Sequence, residues 1–201
     1  RDRLIIFDMC STKKQICDYM RQKYPEAAFV GSHPMAGKEK QGPGAAEAGL
    51  FEGSTVFLAE PGDPISARQR EAHGRVSALW QATGAKTAPG AGDEHDRIMA
   101  HVSHGLHLAA CLIARLSGRL NTQALAASPA AGSYRDMTRI AESSGAMWNE
   151  ITASNREYVT AWLRDLGNEA ARLADEIDSG KADIPALFAE ASAARSRIMR
   201  K

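Results

Sequence analysis

Cysteine is scarce in this 201-residue chain, with three residues at Cys10, Cys17 and Cys111. An odd, irregularly spaced set excludes a disulfide framework and fits a reducing, cytoplasmic setting. Neither sign of charge dominates. The 25 Lys plus Arg against 24 Asp plus Glu leave a net charge of +1, which removes the basic face that nucleic-acid binding needs. No apolar run approaches the ~18 residues of a membrane span, and Arg1-Asp2-Arg3 leading into Leu4-Ile5-Ile6-Phe7 is no signal peptide. Within these residues there is no GxxxxGK[ST], no GxGxxG and no HExxH, hence no P-loop, dinucleotide fingerprint or zincin arrangement. What remains is an apolar share of 44%, enough to build a globular core.

Two kinds of pattern follow one another. Leu4–Phe7 is a short, wholly apolar run, the mark of a parallel strand covered on both faces. The chain opens on Arg rather than Met and is already in a strand, so it reads as starting inside a domain. A helix is predicted from about Thr12 to Tyr24, with Thr12 and Gln15 as a capping box or Ser11 as N-cap, and Pro25 as its stop. Strands follow at Ala28–Val30, Thr55–Leu58 and Lys86–Ala88, with a turn at Pro61–Pro64 and a helix over about 67–81. Gly31–Gly49 reads as a long loop, functional or disordered, carrying Lys38, Glu39 and Lys40. Beyond the Pro89–Asp93 turn no strand pattern returns. Ile98, Val102, Leu106, Ala109, Ile113 and Leu116 predict one long amphipathic helix. Ser154 with Glu157 reads as a capping box, and Asp183-Ile184-Pro185 opens a last helix. The expected class is α/β over residues 1–90 followed by all-α over 91–201.

Three constellations could carry chemistry. Ser11 and His33 each sit just past the carboxyl end of a predicted strand, the edge where open α/β sheets bind ligands. A neutral His33, stiffened by Pro34, could act as a general base; it could equally be a loop histidine bonded to backbone. His95, His101, His104 and His107 lie along the Asp93 helix. They lack metal-ligand spacing, so solvated or core histidines are expected and no metal. Arg135 and Arg139 share a helical face at i,i+4. Two neighbouring guanidinium groups ask either for an anion between them, such as a dicarboxylate, or for surface ion pairs with Asp136 and Glu142. Met147 and Trp148 read as core.

In order along the chain stand Asp8-Met9-Cys10-Ser11-Thr12-Lys13, Gly31-Ser32-His33-Pro34-Met35-Ala36-Gly37 and His95-Asp96-Arg97. They are followed by Val102-Ser103-His104-Gly105-Leu106-His107, Tyr134-Arg135-Asp136-Met137-Thr138-Arg139-Ile140-Ala141, Met147-Trp148 and Ser154-Asn155-Arg156-Glu157. This series resembles the prephenate dehydrogenases and the related arogenate dehydrogenases over nearly the whole chain. The resemblance implies the C-terminal part of a Rossmann-like parallel-sheet domain plus a helical dimerisation domain, and hence a homodimer. It implies that the glycine-rich turn and the acidic ribose ligand would precede Arg1. The implied reaction is the oxidative decarboxylation of prephenate to 4-hydroxyphenylpyruvate with hydride transfer to NAD or NADP, in tyrosine biosynthesis. Arogenate as substrate, and a truncated non-catalytic dimerisation module, are the alternatives. By resemblance His33 would accept the hydroxyl proton and Ser11 would hold that hydroxyl. Asp8 and Ser11 would border the cofactor. Arg139 would clamp a carboxylate, and His107, Ser103 and His95 would line the substrate pocket. Arg135 would stand at its mouth and Trp148 near the entrance. Cys10, Leu106 and Gly145 depart from the family's usual Gly, Pro and Pro.

Overall fold

The computed structural model describes residues 4–37, 42–62, 65–120 and 132–199. Lys38, Glu39 and Lys40 of the glycine-rich loop, and Asp63 and Pro64 of the predicted turn, lie outside them. The chain divides into two compact units, residues 1–160 and 161–201.

The first unit begins with the α/β part. Strand β1 (Ile5–Phe7) pairs in parallel with β2 (Ala28–Val30), with helix α1 (Lys14–Lys23) between them. Strand β3 (Ser32–Pro34) runs antiparallel to β4 (Thr55–Ala59), which pairs in parallel with β5 (Lys86–Gly90); helix α2 (Ala67–Ala82) links β4 to β5. Strand β4 has a neighbour on each side, and its Val56 and Leu58 are almost fully buried. They form a core with Ala72, Val76 and Trp80 of α2, and Phe51 meets Trp80 edge to face at 5.2 Å.

Two expectations change here. Leu4–Phe7 is not covered on both faces: Leu4 is 64% and Ile6 40% exposed, and among the described residues β2 is the one strand hydrogen-bonded to β1. The first residues of the expected loop form β3, which breaks the all-parallel pattern. A strand of Ser, His and Pro carries little β propensity. It is held by register with β4 and by Gly31, whose carbonyl accepts from Ala59 N at 2.8 Å. A Cβ on Gly31 would stand 2.7 Å from Cys17 Sγ, so only glycine admits this approach.

The predicted long helix is three pieces: α3 (Gly92–Met99), a π-helical turn (Ala100–His104) and α4 (Gly105–Ser117). The wider turn shifts the 3.6-residue register at the histidines. Ile98, Val102, Leu106 and Leu116, read as one apolar face, are 40–58% exposed. Helix α5 (Gly132–Thr138) ends before Arg139, which opens a 3₁₀ turn (Arg139–Glu142). The shared α-helical face of Arg135 and Arg139 therefore does not form.

Helix α6 (Gly145–Ser154) and the start of α7 (Arg156–Asp178) complete the unit. Ser154 is the last residue of α6, not a cap of α7. Its hydroxyl donates back to Glu150 O at 2.9 Å. In the second unit α7 continues and α8 (Ile184–Met199) follows. The last helix opens where Asp183-Ile184-Pro185 predicted, and Asp183 Oδ1 accepts from Ala186 N at 2.9 Å as its N-cap. Among the described residues no helix is long and apolar enough to cross a membrane.

Candidate active site

The site is built within the first unit from the carboxyl ends of β1 and β3, the π-helical turn and the 3₁₀ turn at Arg139. A cavity of about 630 Å³ is lined by Met9, Ser11, His33, Met35, Ser103, His104, His107, Arg139, Met147 and Trp148, among others. Six of the nine residues predicted for the site are therefore on one wall system: Ser11, His33, Ser103, His107, Arg139 and Trp148.

The other three are elsewhere. His95 stands behind His33, 2% exposed, and is not among the lining residues. Arg135 is exposed on α5 and does not line the cavity. Asp8 is spent on the fold. One carboxylate oxygen accepts from Ser32 N at 2.8 Å, the other from Cys10 N at 3.0 Å, and that second oxygen pairs with Lys13 Nζ. Lys13 is fully buried and also donates to Ser32 O at 2.7 Å. These bonds brace the turn that carries Ser11 against β3.

His33 is held from behind. Its Nδ1 lies 2.9 Å from His95 Nε2, and the rings meet edge to face at 5.1 Å. His95 Nδ1 lies 2.7 Å from Asp96 Oδ1. The same carboxylate accepts from Lys13 N at 2.7 Å and Lys14 N at 2.9 Å. Asp96, not Thr12 or Ser11, thus satisfies the N-terminus of α1 from 82 residues away. Thr12 instead donates to Ser154 Oγ at 3.0 Å. Burial first, then the neighbouring His95 and Lys13, pushes the His33 imidazole down to about 3, so it is neutral at physiological pH.

A second pair of histidines, His104 and His107, lines the same cavity. Asn155, between α6 and α7, donates from Nδ2 to Asp96 O at 2.8 Å and to His104 Nδ1 at 2.9 Å. His104 is 2% exposed, and burial pushes it down to about 4. His107 donates from Nδ1 to Ser103 O at 3.0 Å and stacks on Trp148, with centroids 4.0 Å apart. Trp148 lines this cavity too, half-buried, and its indole N–H is buried without a hydrogen-bond partner. Met147 is 45% exposed rather than core.

Asp96, His104 and Asn155 were missed as site residues. Nothing local marks Asn155, because its side chain reaches Asp96 O and His104 rather than capping the helix it precedes. Nothing local marks Asp96, because its partners come from α1.

Met9, Ser11, Met147 and Ile151 also line an adjoining cavity of about 850 Å³, so two occupants could meet at the end of β1. This edge of a parallel pair is where α/β sheets bind their ligands.

Comparison with known proteins fits this geometry. Residues 1–88 match the family description "Prephenate dehydrogenase, nucleotide-binding domain", and residues 91–190 match "Prephenate dehydrogenase, dimerization domain". The chain is 36% identical over 169 residues to a prephenate dehydrogenase of Bacillus subtilis, covering 81% of this chain and 44% of that protein. It is 32% identical over 156 residues to a cyclohexadienyl dehydrogenase of Zymomonas mobilis, covering 76% of this chain and 51% of that protein. The chain therefore spans about half the length of these relatives. A crystal structure of prephenate dehydrogenase from A. aeolicus, in complex with hydroxyphenyl propionate and NAD+, superposes with a TM-score of 0.84 at 24% identity. It covers 98% of this chain and 68% of that one. At that identity the likeness carries the fold.

Proposed function

From the premise that the chain belongs to the prephenate dehydrogenase family, we propose that it serves the NAD(P)-linked oxidative decarboxylation of prephenate to 4-hydroxyphenylpyruvate. The observation that carries the reading is that His33 and Arg139, distant in sequence, line one cavity.

His33 Nε2 takes the proton of the ring hydroxyl as the ring carbon gives up hydride. Ser11 holds that hydroxyl beside the base. Arg139 pairs with a substrate carboxylate through two parallel N–H bonds. His107, fixed against Trp148 and Ser103, sets the ring orientation with Ser103 beside it. Loss of the ring carboxylate as CO₂ aromatises the product, so the protein's task is chiefly positioning and proton removal. Arg135, exposed on α5, stands outside the cavity wall.

A nicotinamide coenzyme fits the end of β1, where the apolar Met9 and the hydroxyl of Ser11 border both cavities. When bound it supplies the hydride acceptor. Asp8 contributes by bracing the Ser11 turn, since its carboxylate is engaged by Lys13, Ser32 and Cys10.

The division into a nucleotide-binding part at 1–90 and a helical part at 91–201 belongs to the same proposal, as does a homodimer formed through the helices. So does a cytoplasmic setting, supported by the three free thiols. Arogenate is the second reading, supported by the likeness to a cyclohexadienyl dehydrogenase. The deciding assay offers the chain prephenate or arogenate with NAD⁺ or NADP⁺ and follows reduced nicotinamide and the aromatic product. No coenzyme binding and no turnover with any pair would leave the non-catalytic dimerisation module as the reading.

A further inference from the structure

Asp96 sits at the convergence of three N–H groups from two segments. Its Oδ1 faces both Lys13 N, at 2.7 Å, and His95 Nδ1, at 2.7 Å, while Oδ2 faces Lys14 N at 2.9 Å. A carboxylate that terminates two helix N–H groups is an acceptor on both oxygens. His95 Nδ1 must then carry the hydrogen. A neutral imidazole has one donor and one acceptor, so His95 Nε2 is a lone pair. His33 Nδ1, 2.9 Å away, must donate to it. The lone pair of His33 is left on Nε2, on the far side of the ring.

We propose that Asp96 is the positioning residue of this site: through His95 it fixes the hydrogen of His33 on Nδ1 and presents Nε2 to the cavity as a base. The inference rests on the reading of His33 as the proton acceptor. The reverse arrangement would put a lone pair of His95 against the Asp96 carboxylate, which is repulsive in a site where Asp96 and His95 are 1–2% exposed. The chain of bonds also says where the proton's charge goes. As the substrate O–H bond breaks, a bond to His33 Nε2 forms and the Nδ1 hydrogen passes to His95 Nε2. The positive charge then rests on His95, against the carboxylate of Asp96. His33, which burial disfavours as a cation, is left neutral.

Multiple-bond ¹⁵N–¹H correlation spectra of the full chain at neutral pH report the tautomers directly. Both His33 and His95 are expected with hydrogen on Nδ1. Asp96→Ala removes the acceptor of His95 Nδ1 and should shift both imidazoles towards Nε2 and lower kcat on the order of a hundredfold, with KM within about twofold. Because Asp96 also terminates α1, a pair of variants that keeps this cap provides the second test. His95→Gln retains a carbonyl that can accept from His33 Nδ1, whereas His95→Leu does not, so the Gln variant should turn over about tenfold faster or more. A wild-type spectrum with His33 protonated on Nε2, or equal rates for the Gln and Leu variants, would overturn the proposal. Failure of the underlying reading looks different: His33→Asn would leave turnover intact while the tautomers stood as described, which removes the catalytic role of the chain of bonds.

Discussion

His33 on β3 and Arg139 in the 3₁₀ turn after α5 line a single cavity of about 630 Å³. A base and an anion clamp on one wall system is what proton removal from a carboxylate substrate requires. Replacing His33 with Asn keeps the size and polarity of the site and removes the base. Steady-state kinetics should show kcat reduced by about 10²–10⁴-fold with little change in KM. Unchanged kcat would take His33 out of the reaction.

Arg139→Gln should act on binding. A charge-assisted hydrogen bond contributes about 1.5–3 kcal/mol, so the substrate KM should rise by roughly one to two orders of magnitude while kcat changes less. A KM equal to that of the parent chain would place the Arg139 guanidinium outside the substrate's reach.

Lys13→Met tests the brace beneath the site. The Lys13 side chain is fully buried and that of Asp8 13% exposed. Removing the cation leaves the Asp8 carboxylate partly buried without its partner, a loss of about 3–5 kcal/mol. Urea unfolding should show it as a lower midpoint with unchanged slope. A midpoint equal to that of the parent chain would contradict the pairing.

The buried histidines set a pH dependence. Burial, the largest cause for each, lowers His33 to about 3 and His104 to about 4 in the folded chain, against about 6.5 when unfolded. Between these values the unfolded chain binds protons that the folded chain does not. Stability should therefore hold above pH ~6.5 and fall as the pH drops towards 4 and 3. The urea midpoint should be lower at pH 5 than at pH 7.5, and the difference should shrink in His33→Asn. A difference of the same size in that variant would remove His33 as a source.

The exposed apolar side chains of α4 should be covered by a second copy. Leu106 and Leu116 are 43% and 58% exposed, large apolar side chains of the kind an interface between helices covers. Light scattering should give twice the chain mass, and Leu106→Glu with Leu116→Glu should give the single-chain mass. A monomeric parent chain would refute the dimer.

Much of this could be read along the chain. Thr55–Leu58 needed only its apolar run to be a strand, and Asp183 with Pro185 needed only adjacency to start a helix. These signals are local, because the hydrogen bonds and buried side chains involved belong to neighbouring residues. Ser11, His33 and Arg139 were candidates from residue type and position, whereas Ser103, His107 and Trp148 entered the site through the family resemblance alone.

Tertiary structure alone decided what stands behind them. Helix α1 takes its N-terminal acceptor from Asp96 rather than from Thr12 or Ser11, and Asn155 reaches Asp96 O and His104 rather than its own helix. A buried N–H group is satisfied by whichever acceptor the fold brings within 3 Å, and sequence distance does not enter that choice. The sequence by itself determined which residue types were available for chemistry. Which imidazole reaches the cavity, and which one holds it there, depended on how α3 packs between α1 and β3.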